Sequence, residues 1–143
     1  MPKVLIADKM SPRAAEIFKE RGVDVDVITG LDRDELIKII DQYDGLAVRS
    51  STKATPPVLE AASNMKVIGR AGIGVDNIDL PTATAKGIVV MNTPFGNSIT
   101  TAEHAIAMMF ALARDIPEAN ASTHDGKWEK SRFMGVELTG KTL

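Results

Sequence analysis

The chain has 143 residues, long enough for one domain with a substantial core, and 44% apolar with 25% charged residues is an ordinary globular composition. A net charge of -2 removes the electrostatic ground for nucleic-acid binding or an acidic tail, and the absence of cysteine excludes disulfides and thiolate-held metal. No run reaches about eighteen apolar residues and the start, Met1-Pro2-Lys3-Val4-Leu5-Ile6-Ala7-Asp8, is too briefly apolar for a secretory leader, so a cytoplasmic protein without membrane or nucleic-acid partners is expected.

Residues 3–7 predict a first strand whose Val4-Leu5-Ile6 run is apolar on both faces. Ser11 and Pro12 read as N-cap and first position of a helix that carries Ala14, Ala15, Ile17 and Phe18 up to Gly22. Residues 23–28 alternate apolar with Asp24 and Asp26, the pattern of a half-exposed edge strand. Asp32 opens a second helix with Leu36, Ile37, Ile39 and Ile40 facing inward. Residues 45–48 form a third strand, and Thr55-Pro56-Pro57 enters a third helix. Residues 66–70 are a fourth strand, Asp79 caps a fourth helix closed by Gly87, and residues 88–91 are a fifth strand. Strict alternation of strand and helix predicts an α/β, flavodoxin-like parallel sheet over residues 1–97.

Residues 98–143 have a different texture. A long helix over 98–116 can be capped by Ser98 or by Thr100, since Thr100 and Glu103 make a capping-box pattern, and Pro117 bends or ends it. Ala105, Ile106, Met108, Met109, Phe110, Leu112 and Ala113 surround it, so a second domain or subunit is expected to cover it. Residues 118–125 continue helically, and Trp128 follows among Lys127, Lys130 and Arg132. That stretch is either a surface loop with one anchored ring or an arm reaching a neighbouring subunit. Residues 137–143 read as a lead-in to another strand.

In a parallel sheet the loops after the strands share one edge. There Arg49, Lys53 and Arg70 supply cations, Ser50, Ser51 and Thr52 hydroxyls, Asn97 an amide, and the Gly72-Ile73-Gly74-Val75 turn backbone N–H groups. Such a set suits a small anion with more than one negative group. Arg49 is a ligand group or a surface charge, and Arg70 could instead pair with Asp76 or Asp79. Gly72-x-Gly74 opens like a dinucleotide fingerprint, but its last glycine is replaced by Asn77 and the strand over 88–92 ends without an acidic residue for a ribose, so a carboxylate fits better than a pyrophosphate. His104, on an apolar helix beside Glu103, and His124, in a polar stretch, read as structural and solvated respectively, and two histidines without cysteine give no metal ligand set.

Val48-Arg49-Ser50, the block from Gly69 through Gly72-Ile73-Gly74-Val75-Asp76-Asn77 to Asp79, Gly87-Ile88-Val89-Val90-Met91-Asn92-Thr93-Pro94, Asn97-Ser98, Trp128, Phe133-Met134-Gly135 and the closing Leu138-Thr139-Gly140-Lys141-Thr142-Leu143 together resemble the D-isomer-specific 2-hydroxyacid dehydrogenase family. The resemblance implies NAD-dependent oxidation of 3-phosphoglycerate to 3-phosphohydroxypyruvate in serine synthesis, or of another D-2-hydroxy acid. It implies a substrate-binding domain over 1–97 and, over 98–143, the first long helix and opening of a Rossmann nucleotide-binding domain. Arg49, Ser50, Arg70, Gly72, Gly74, Val75 and Asn97 would bind substrate, and Ile73 would lie near the nicotinamide of NAD. Trp128, Lys130 and Arg132 would act in trans within a homodimer or homotetramer built on the 98–116 helix. The family's NAD loop and catalytic Arg, Glu and His lie further along than these residues, so the chain alone is expected to be inactive. A non-catalytic flavodoxin-like module holding a phosphate on residues 50–55 is the alternative from the residues themselves.

Overall fold

A computed structural model describes residues 1–142. The chain divides into two compact units, Met1–Gly96 and Asn97–Leu143.

In the first unit five strands alternate with four helices: β1 (Lys3–Ile6), α1 (Pro12–Glu20), β2 (Asp24–Val27), α2 (Arg33–Ile39), β3 (Gly45–Val48), α3 (Pro56–Ala61), β4 (Val67–Arg70), α4 (Leu80–Ala85) and β5 (Val89–Met91), with one short 3-10 turn (Ile40–Gln42) after α2. All neighbours are parallel and the order is β2-β1-β3-β4-β5, the flavodoxin-like winding that the alternation predicts. The reversal of direction falls between β1 and β3, the kind of place where open α/β sheets hold their ligands.

Local chemistry starts the helices where the sequence places them. Ser11 accepts from the Arg13 amide at 3.3 Å with Pro12 behind it, and Asp79 accepts from the Thr82 amide at 2.9 Å. Asp32 and Glu35 form a reciprocal capping box at 2.8 and 2.9 Å. Leu5, Ile6, Leu36, Ile40, Leu59 and Ile68 are fully buried, each contributing about 1.5–3 kcal/mol by removal from water. At one edge of the sheet the buried Tyr43 hydroxyl donates to Asp26 at 2.8 Å, and Lys3 reaches the same carboxylate at 2.8 Å while lying over the Tyr43 ring.

The second unit holds α5 (Ser98–Ala113) and α6 (Ile116–His124), packed together. The cap of α5 differs from the expected one. Asn97 occupies the N-cap without a side-chain bond, and neither Ser98 nor the Thr100–Glu103 pair caps the helix because both lie inside it. Pro117 does not end it either. The break comes at Arg114 and Asp115, the latter left-handed at φ 51°, and Pro117 sits in the first turn of α6, where its missing N–H costs nothing. Gly135, at φ +59°, then folds the chain back so that the Val136 amide meets the Ala113 carbonyl at 2.7 Å. Residues 138–141 make a turn, and the expected strand start at Leu143 lies outside the described residues.

Candidate anion site at the sheet edge

Hydrogen bonds tie the loops after β1, β3, β4 and β5 together. The loop after β3 is held from both sides. Asp8, 5% exposed at the end of β1, accepts the Arg49 amide at 2.6 Å, the Thr52 amide at 3.0 Å and the Thr52 hydroxyl at 2.7 Å. Across the loop, the Asn77 side-chain amide donates to the Arg49 carbonyl at 2.8 Å and the Thr52 carbonyl at 2.7 Å, and Arg70 Nε donates to the Arg49 carbonyl at 3.1 Å. Burial works to raise the Asp8 carboxyl pKa. The Thr52 hydroxyl and the amides of Arg49, Thr52 and Ser51 outweigh it, and the carboxyl is held below its ordinary 3.8.

The glycine turn after β4 has its own frame. Arg70 also donates to the Gly74 carbonyl and approaches Asp76 at 3.8 Å, closing the turn from inside, while Asn92 donates to the Ile73 carbonyl at 2.7 Å and the Thr93 amide to the Gly72 carbonyl at 3.0 Å. The Ala71 and Gly72 amides are committed, to Val48 and Arg70 carbonyls at 2.9 Å each. Those of Ile73, Gly74, Val75, Asp76 and Asn77 donate to no group among the described residues. A run of unpaired N–H groups at the carboxyl end of a strand is an anion-binding arrangement. Neither Gly72 nor Gly74 has a positive φ. They let side chains come close: a Cβ on Gly74 would lie 2.9 Å from Asp76 Oδ1 and 3.3 Å from the Arg70 guanidinium, and one on Gly72 3.1 Å from that guanidinium.

The structure thus joins Arg49, Ser50, Arg70, Gly72, Ile73, Gly74 and Val75 in one hydrogen-bonded edge, with the two arginines in different positions. Arg70 is the turn's internal strut, donating to the Arg49 and Gly74 carbonyls. The exposed Arg49 guanidinium donates to the Lys9 carbonyl at 3.2 Å, on the β1 side, with its remaining donors facing solvent. Ser50, Ser51 and Lys53 are exposed beside it. Asn97, Trp128, Lys130 and Arg132 belong to the second unit. Asn97 is exposed at the start of α5, Trp128 is 84% exposed, and Arg132 pairs with Glu129 at 3.0 Å, which also takes the buried Ser122 hydroxyl at 2.8 Å. His104 and His124 are exposed on α5 and α6. Asp8, Asn77 and Asn92 escape sequence reasoning as site organisers, since their partners stand 41–44, 25–28 and 19 residues away. Among the described residues no cluster of three or more acidic, histidine or cysteine side chains is arranged for a metal, and no helix is long and apolar enough to cross a membrane.

Residues 4–136 match the family described as D-isomer specific 2-hydroxyacid dehydrogenase, catalytic domain. The chain is 54% identical to D-3-phosphoglycerate dehydrogenase of Archaeoglobus fulgidus over 98% of its length and 27% of that protein's, and 52% identical to the enzyme of that name from Homo sapiens over 99% and 26%. It superposes on the NAD+-bound 3-phosphoglycerate dehydrogenase of Entamoeba histolytica with a TM-score of 0.70 and 33% identity, covering 79% of this chain and 39% of that one. The chain spans about a quarter of the length of these curated relatives. With a family match over more than nine-tenths of its residues and a flavodoxin-like parallel sheet, the chain belongs to the D-isomer specific 2-hydroxyacid dehydrogenase family.

Proposed function

We propose that this chain is the substrate-gripping part of an NAD-dependent oxidoreductase that converts 3-phosphoglycerate to 3-phosphohydroxypyruvate in L-serine biosynthesis, as a cytoplasmic homo-oligomer. The relatives that are half identical to it carry the name D-3-phosphoglycerate dehydrogenase. The observation that carries the chemistry is the row of uncommitted amides from Ile73 to Asn77, rigidly framed by Arg70 and Asn92.

In this reading the Ile73, Gly74 and Val75 amides receive the substrate carboxylate. Fixed dipoles hold it without the reorganisation cost that water would impose. Gly72 contributes by allowing Arg70 beneath the turn, its own amide being committed to Arg70. Arg49 and Ser50 present a guanidinium and a hydroxyl to a second anionic group, for which a phosphate is the natural partner. Ile73 is exposed at the rim, an apolar surface of the kind a nicotinamide ring packs against, and it fits the edge of an NAD site whose larger part lies on other residues of the whole protein. NAD supplies the hydride acceptor. Residues 98–143 are the opening of the nucleotide-binding domain, with Asn97 at the join and the Trp128, Lys130 and Arg132 loop adding cations to a partner subunit's cleft. In this reading the chain alone binds substrate without turnover.

Titration of the 15N-labelled chain with 3-phosphoglycerate tests this. The amide signals of Ile73, Gly74, Val75, Arg49 and Ser50 should move together, with D-glycerate binding more weakly for want of the phosphate, and NAD addition should produce no reduced nicotinamide. Absence of shifts at residues 73–75 would refute the assignment.

A further inference from the structure

We infer that Asp8 is a positioning residue for anion binding: its buried carboxylate fixes the main chain of residues 49–52 so that Arg49 and Ser50 face the ligand. The inference rests on the functional reading above. Asp8 is not itself assigned to substrate; it reaches the Arg49 amide from 41 residues earlier in the chain.

Three observations converge on it. Asp8 accepts from three donors of one loop, the shortest from the Arg49 amide at 2.6 Å, and a carboxylate this buried is tolerated only where such donors replace water. The same loop's carbonyls, Arg49 and Thr52, are held from the opposite side by one Asn77 amide group, so amides and carbonyls of both residues are fastened at once. The two side chains that emerge between these fastenings, Ser50 and Ser51, are exposed, as is Arg49. A loop whose backbone is tied at both faces while its polar side chains stand in solvent is built to aim those side chains.

Asp8→Asn separates the two views, because the isosteric amide can satisfy only part of a site built wholly of donors and turns an NH2 toward another N–H. In the full 143-residue chain the variant should lose about tenfold in affinity for 3-phosphoglycerate, with the Arg49 and Thr52 amide protons moving upfield as their carboxylate partner goes. The Ile73, Gly74 and Val75 amide signals of the unliganded variant should stay in place. Thr52→Val should weaken binding in the same sense, by roughly threefold, and Thr52→Ser, which keeps the hydroxyl, should restore it; this pair decides the matter should D8N fail to fold. A wild-type chain that binds, with D8N or T52V binding equally well, overturns the positioning role alone. A wild-type chain that does not bind overturns the functional reading and this inference with it.

Discussion

At the scale of single residues, the ionisable groups that organise the first unit leave a signature in its pH dependence. Asp8 has a folded-state pKa below the 3.8 of the unfolded chain. Its stabilisation is therefore complete above that value and disappears as pH falls through the lower, folded one. The melting temperature of the wild type should exceed that of Asp8→Asn at neutral pH, and the gap should narrow as the solution is acidified below 3.8; a gap independent of pH would show that the charge contributes nothing. Tyr43 works in the opposite sense. Burial, with the Asp26 carboxylate against its hydroxyl, pushes its pKa up to about 12. Because the neutral phenol is the form the fold favours, the contribution is intact below the ordinary 10 and is lost as pH rises through about 12. Tyr43 is the chain's single tyrosine, so its ultraviolet titration is readable without interference. Tyr43→Phe should cost about 1 kcal/mol in chemical denaturation, the usual value for one buried hydrogen bond.

At the scale of elements, what the sequence disclosed and what it withheld divide by range. Caps at Ser11, Asp32 and Asp79 were legible because each is a bond between residues two or three apart, and the parallel sheet was legible because continuous apolar strands alternate with capped helices. The Asp8 and Asn77 clamps were not, since nothing in the neighbourhood of either residue announces a partner more than twenty places away. The start of α5 misled because Thr100 and Glu103 have capping-box spacing but already lie inside the helix, and the real break at Asp115 is a left-handed residue with no sequence cue of its own. Glycines separate in the same way. Gly74→Ala displaces only the exposed end of Asp76 and the tip of Arg70, so it should change stability by under about 1 kcal/mol. Gly135→Ala meets a different obstacle. Its Cβ would run into the Ala113 carbonyl oxygen and lie 2.9 Å from Arg114 Cα, from a left-handed backbone. Backbone cannot swing aside, and a cost of at least ~2 kcal/mol is expected. Hydrogen exchange should show fast amides at Val136 and the end of α5 in that variant, with β1 and β3 protected as before.

At the scale of the whole molecule, the two units face water differently. The first buries Leu5, Leu36, Ile40, Leu59 and Ile68 in one core, whereas α5 has no buried residue and leaves Ile99, Ile106, Met108, Phe110 and Leu112 half or more exposed. A helix with apolar groups on this scale in water is unstable against any surface that can cover them. The chain itself carries such a surface in each copy, and two copies of one helix can pair with twofold symmetry. Self-association through α5 follows as the expected behaviour of the isolated chain. Sedimentation velocity should give a species near twice 15.3 kDa at micromolar concentration. Ile106→Lys with Phe110→Lys should shift it to the monomer, because two charges cannot be desolvated in an apolar seam without partners. The first unit's melting transition should survive that change. A wild-type chain that sediments as a monomer at every concentration would overturn this pairing of α5.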